Sequence, residues 1–297
     1  MMTGLYRYIS AIFFALLLVS CEKTIADPEE AGSTGSSSAK GNLTLSIAQL
    51  EWRPFQTVAE GSSGVAPAHL CFAVYDMSGT RVKQVNQKWG DAGYGTVSMK
   101  LDAGTYRLVV LAHSSGRNPT MTNLEKIQFN NSIGYSDTYL YYNNTLTVTD
   151  TPQTLMPTLD RIVALCRFVI NDEIPDEVAT LRFQYKGGSG HFSALSGLGV
   201  TNSTQVVTFA AQHGQPYTQY DLYTFLHDAT GTISLTVTAL DAGGETRYER
   251  DFGVPLQTDR LTWYTGHFFT GDDTSSWVVD TFVSTEHLWD SEEFLTY

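Results

Sequence analysis

Residues Thr232 to Phe252 read TISLTVTALDAGGETRYERDF, and the local structure of this stretch follows from its pattern. Ile233, Leu235, Val237 and Ala239 alternate with Ser234, Thr236 and Thr238, the period-two spacing that puts apolar side chains on one face of a strand. Asp241-Ala-Gly-Gly244 then supplies turn residues: the aspartate can bond its own backbone, and glycine tolerates positive φ. A second strand pattern, ETRYERDF, follows at once. Strand, tight turn and strand predict a β-hairpin.

Outward from this hairpin the same signature repeats. Alternation marks Leu43–Ile47, Thr96–Leu101, Thr145–Thr149, Leu181–Tyr185 and Trp277–Val283. Turn signals stand at Asp76–Gly79, Asp102–Gly104 and Lys186–Gly188. Helical periodicity is absent beyond the N-terminal segment, so an all-β chain of sandwich type is expected rather than βαβ units. Thr151-Pro152 and Met156-Pro157 break the rhythm, because proline cannot occupy a central strand position. The division therefore falls there, with one sandwich over 42–157 and a second over 158–297 that opens on a long apolar strand, Arg161–Ile170. Leu101-Asp-Ala-Gly-Thr-Tyr106-Arg-Leu resembles a hairpin of transthyretin-like sandwiches, with Gly104 in the turn and Tyr106 capping the core.

The N-terminus carries Arg7 and an apolar run from Ile9 to Val19, shorter than the roughly 20 residues a spanning helix needs. It closes on Leu18-Val19-Ser20-Cys21, a lipobox. Residues 1–20 read as a lipoprotein signal peptide cut between Ser20 and Cys21. Diacylglycerol and an N-acyl chain on Cys21 are then the only covalent additions expected, and they tie the chain to a membrane. Residues 21–41 form a Gly/Ser-rich tether. Asp27, Glu29 and Glu30 in it resemble surface-export signals of Bacteroidetes.

Composition narrows the partners. The formal net charge is −13, which argues against nucleic acid, since phosphate binding needs a basic face. Apart from Cys21 the chain has Cys71 and Cys166, both in apolar strand-like runs and both expected as buried free thiols. No metalloprotease, Walker or nucleophile-elbow motif is present, and the 7 histidines lack metal-ligand spacing. Gly187-Gly-Ser-Gly190 reads as a turn, and His227-Asp228 as the surface end of a strand. No catalytic residue, metal, cofactor or small-molecule substrate is expected. Tyr135, Tyr139, Tyr141 and Tyr142 form a cluster that a glycan-binding adhesin would use for stacking; tyrosine is equally a strand residue.

Arg161–Thr204 contains an R-x-V-A-x-x-x-F-x-I strand, a Pro-containing link, L-x-F-x-Y and a glycine-rich S-G-x-G stretch. Tyr220–Phe269 ends in V-P-x-x-x-x-x-T-x-x-T-G-x-F-F. Together with the lipobox, these segments resemble the fimbrillin-A-associated anchor proteins of Bacteroidales. The resemblance implies two transthyretin-like Greek-key sandwiches, no enzymatic activity, and a place at the base of a fimbrium on the outer membrane. The partners it implies are fimbrial stalk subunits, bound by β-strand addition. Stalk subunits of that class are cut after a first strand, whereas an anchor must stay intact. Arg53 is followed by Pro54, a poor site for a trypsin-like protease, which fits an uncut first strand Leu43–Ile47. The free end is then Trp277–Tyr297, with Trp277, Val278, Val279, Phe282 and Val283 as the donor strand. Its removal is expected to abolish stalk capture without unfolding the protein. The other reading of that strand is that it completes the protein's own second sheet. A fimbrial tip or free-standing glycan-binding adhesin is the alternative role.

Overall fold

A computed structural model describes residues 41–47, 67–130, 135–271 and 291–297. These residues form strands and turns with no helix among them. In the first half, the strands β1 (Leu43–Ser46), β4 (Thr96–Met99) and β8 (Gln153–Leu155) make a sheet of order β4-β1-β8. It faces a sheet of order β3-β2-β5-β7-β9, built from β2 (His69–Tyr75), β3 (Arg81–Lys88), β5 (Gly104–His113), β7 (Thr138–Val148) and β9 (Asp160–Arg161). In the second half, β10 (Ala164–Ile170), β14 (Thr218–Thr224), β17 (Arg260–Gly266) and β18 (Ser291–Thr296) form the sheet β14-β10-β17-β18. Its partner, β13-β11-β15-β16, contains β11 (Thr180–Gly188), β13 (Ser203–Ala210), β15 (Thr230–Leu240) and β16 (Thr246–Gln257). Two short strands, β6 (Ile127–Gln128) and β12 (His191–Phe192), pair with each other and join the halves.

The opening hairpin forms as its sequence predicts. β15 and β16 pair antiparallel from Thr230↔Gln257 to Leu240↔Thr246. Asp241 Oδ1 accepts from the backbone N–H groups of Gly243 and Glu245, each at 2.9 Å, and Gly244 takes φ +85°. Asp76 builds the β2–β3 turn in the same way, accepting from Ser78 N and Thr80 N at 2.9 Å.

Three strands carry continuous apolar runs because both of their faces are buried. In β2, Leu70, Phe72 and Val74 enter the first sandwich core, while Cys71, Ala73 and Tyr75 enter a layer between the sandwiches. β5 divides likewise, with Leu108, Val110 and Ala112 inward and Val109 and Leu111 outward. In β10, Ala164, Cys166, Phe168 and Ile170 line the second core, and Leu165 and Val169 face the shared layer. A strand buried on two sides loses the polar half of its alternation. The sandwiches therefore meet through a third apolar layer and belong to one compact unit, Lys40–Tyr297.

Three local readings change. The apolar run Arg161–Ile170 is divided: Asp160–Arg161 pairs with β7 in the first sandwich, and Ile162 and Val163 cross to β10. Asp102–Gly104 is an arch between sheets and not a hairpin, since β4 pairs with β1 while β5 pairs with β2 and β7. Tyr106 keeps its capping place there, donating to Asp102 O at 3.0 Å. Gly187 and Gly188 lie at the end of β11, where the register shifts; a Cβ on Gly188 would meet the Thr224 side chain.

Candidate functional site

The first strand is seated between two neighbours. β1 runs antiparallel to β4, Leu43↔Met99 to Ser46↔Thr96, and parallel to β8, Leu43↔Gln153 to Leu45↔Leu155. Its alternation points Leu43 and Leu45 into the core, both at 0% exposure. Asn42 fastens its start: Nδ2 donates to Leu101 O (2.9 Å) and Thr149 O (2.8 Å), and Oδ1 accepts from Leu101 N (2.9 Å). Gly41 must be glycine at this entry, because a Cβ would lie 2.5 Å from the Met99 carbonyl carbon. Withdrawing β1 would part β4 from β8 and open the first core, to which Leu43 and Leu45 belong. The geometry is that of a groove filled by the chain's own strand.

The last strand lies at an edge. β18 pairs parallel with β17, Arg260↔Ser291 to Thr265↔Thr296, and no described strand flanks its other side. Trp263 Nε1 donates to Glu292 Oε2 at 3.2 Å, and the Trp263 and Phe294 rings stack at 5.9 Å. Phe294 remains 52% exposed. Tyr297 closes the element: its N–H donates to Thr265 O and its hydroxyl to Val169 O, both at 3.0 Å. Its ring stacks on Phe168 (4.7 Å) and Tyr264 (5.1 Å). Gly266 leaves room for that ring, since a Cβ there would come within 2.7 Å of it. Deleting Trp277–Tyr297 would thus strip an aromatic that packs on the second core, so a loss of stability is to be expected from it. Sequence reading missed Ser291–Thr296 as a strand: in Ser-Glu-Glu-Phe-Leu-Thr the two apolar residues are adjacent, so no alternation marks it.

Of the residues singled out from sequence, Ser20, Cys21, Arg53, Pro54, Trp277, Val278, Val279, Phe282 and Val283 lie outside the described residues. The tyrosine cluster makes no common platform. Tyr135 and Tyr142 pack toward the layer between the sandwiches, whereas Tyr139 and Tyr141 pack on the first core. Adjacent strand positions point to opposite faces, so four tyrosines in one stretch cannot share a surface. Cys71 and Cys166 are buried thiols in different layers, outside any disulfide, and burial pushes the Cys166 thiol well up. Ser189 is fully buried, its hydroxyl donating to His191 O at 2.6 Å. His227 is exposed just past β14, with Nδ1 2.9 Å from Gly199 O.

Two polar clusters went unforeseen because each draws on distant segments. Arg161 joins Asp137 (Nε–Oδ1 2.7 Å) to Asp259 (Nη1–Oδ1 2.9 Å), with Tyr139 beneath its guanidinium at 4.8 Å. His113 stacks on His69 at 5.1 Å, with Cys71 Sγ 3.8 Å from its Nε2.

A double β-sandwich with a seated first strand and an edge-held last strand is the class of molecule described. The chain belongs to the family described as a family of unknown function, DUF6562, which matches residues 37–295. No curated protein matches its sequence. Among solved structures it is similar to a candidate adhesin from Bacteroides ovatus, at 16% identity over 72% of this chain and 82% of that one, TM-score 0.49. It is also similar to the fimbrial anchor protein Mfa2 from Porphyromonas gingivalis, at 10% identity over 72% and 83%, TM-score 0.43. The tip fimbrial protein Mfa3 from the same organism matches at 13% over 64% and 76%, TM-score 0.33.

Proposed function

We propose that this protein is a non-enzymatic structural lipoprotein that holds fimbriae on the outer membrane. Cys21 carries the lipid, the Gly/Ser-rich segment spaces the folded body from the bilayer, and stalk subunits bind by β-strand addition. The observation that carries this reading is β1. Its burial and its pairing on both sides support a protein that fills its own groove and needs no donated strand. A subunit with a filled groove begins a polymer, since only its other end is left to engage a neighbour. The Arg53-Pro54 bond supports retention of β1 after synthesis. The position beside β17 is taken by Ser291–Thr296. Trp277, Val278, Val279, Phe282 and Val283 are therefore not needed at that position, which favours their offering to the first stalk subunit.

Cys21→Ser in the native host tests the reading. Cells and medium are separated and blotted for this protein and for fimbrial polymer. Polymer moving from cells to medium with the variant is the expected result. Loss of the protein from cells while fimbriae stay attached would overturn the anchor role.

A further inference from the structure

At one end of the first sandwich an open cleft of about 620 Å³ lies between the β2–β3 turn and the 122–125 loop. Its size suits a small ligand. Arg81 and Arg107 line its floor, in register on the two strands that flank the buried Tyr75. Both arginines stand where a ladder slips, between Val74 and Tyr75 on one side and between Tyr106 and Leu108 on the other. Such irregularities re-aim side chains out of the regular pleat. The Tyr75 hydroxyl donates to Met121 O at 2.5 Å, and Asn123 Oδ1 accepts from Glu125 N at 2.8 Å, so floor and wall are held in place.

Among the described residues neither arginine has a carboxylate within ion-pair distance. Arg161, Arg167, Arg247 and Arg260 each pair with a carboxylate within 3.5 Å. Arg81 donates only to the neutral Gln84 amide, and the Nε of Arg107 is buried with no partner. In a chain of net charge −13, two arginines that line one cleft with no ion pair of their own are set for an anion from outside. The lining also offers Ser78, Thr80, Thr122, Asn123 and Glu125, groups that bond hydroxyls. Glu125 on the rim also repels a dianion such as phosphate while accepting from a polyol.

We infer that the Arg81–Arg107 cleft binds a carboxylate-bearing sugar of the uronic-acid type, the carboxylate seated between the two guanidiniums and the ring hydroxyls against the loop. The inference is independent of the strand-addition reading and survives its failure. The full chain, purified in detergent, is titrated calorimetrically with glucuronate, glucose and inorganic phosphate. Glucuronate should bind saturably in the range of about 0.1–1 mM, with glucose and phosphate at least about tenfold weaker. Arg107→Gln and Arg81→Gln should each weaken glucuronate about tenfold at unchanged unfolding temperature. If Arg107→Gln fails to fold, Arg81→Gln carries the comparison. No saturable binding, wild-type affinity in a folded arginine variant, or phosphate equal to glucuronate would each overturn the proposal.

Discussion

His113 shows how one side chain ties the molecule to pH. It is fully buried, edge-on to Phe129 at 5.1 Å and stacked on His69. Burial first, and the neighbouring His69 second, hold it from 6.5 down to about 3. Below about pH 6.5 the unfolded chain takes up a proton that the folded chain refuses until about pH 3. Unfolding then binds protons, so this contribution to stability is intact above the unfolded value and is lost as pH falls through the window. The slope reaches about 1.4 kcal/mol per pH unit. Urea unfolding at about pH 7 and about pH 5 should therefore show a larger loss for the native chain than for His113→Gln. Equal losses would mean that His113 does not titrate with folding. None of this was visible in the chain, where His69 and His113 are two of 7 scattered histidines. The long-range β2–β5 register that sets His69 opposite His113 brings them together.

β1 and β18 are both short, and their hold on the fold comes from side chains at their ends. β18 contributes one row of backbone bonds to β17 and one aromatic, Tyr297, to the second core. Tyr297→Ala should cost roughly 2–4 kcal/mol, below the full cost of losing a wholly buried aromatic because the ring is partly exposed. Deleting Ser291–Tyr297 should cost at least as much, read as a lower denaturant midpoint. A deletion with an unchanged midpoint would show that the last strand is a passenger. Leu43–Ser46 was legible as a strand from its alternation, and its pairing was not. Period two says which side chains point inward but not which neighbours flank the strand, and here both lie far along the chain, at Thr96–Met99 and Gln153–Leu155.

The two sandwiches behave as one body because an apolar layer and an ion pair join them. Arg161 and Asp137 come from the first, and Asp259 follows β16 in the second. Asp259 also takes φ +55° and donates its N–H to Val163 O at 3.0 Å, closing the seam from the other side. Arg161→Ala leaves Asp137 buried without its cation, and removing one partner of such a pair costs about 3–5 kcal/mol. Calorimetry should show a single transition in the native chain and two separated ones in the variant. Replacing Arg161 and Asp137 together with apolar residues should recover most of the loss. A single unshifted transition in Arg161→Ala would show that the apolar layer alone couples the halves.

The strand content and the hairpin turns at Asp76–Gly79 and Asp241–Gly244 are local or nearly local properties. Alternation and turn chemistry operate over a few residues, so the chain determines them before any distant contact forms. The continuous runs in β2, β5 and β10 were visible as apolar strands, but their meaning was not. A strand buried on two faces reads the same whether its second face meets a helix, another sheet or a partner. Only the tertiary structure decided that this face closes on the other sandwich, that β1 sits between β4 and β8, that the last strand runs through Ser291–Thr296, and that Arg81 and Arg107 flank one cleft. Each depends on residues far apart in sequence, whose meeting is set by packing and register rather than by any local preference.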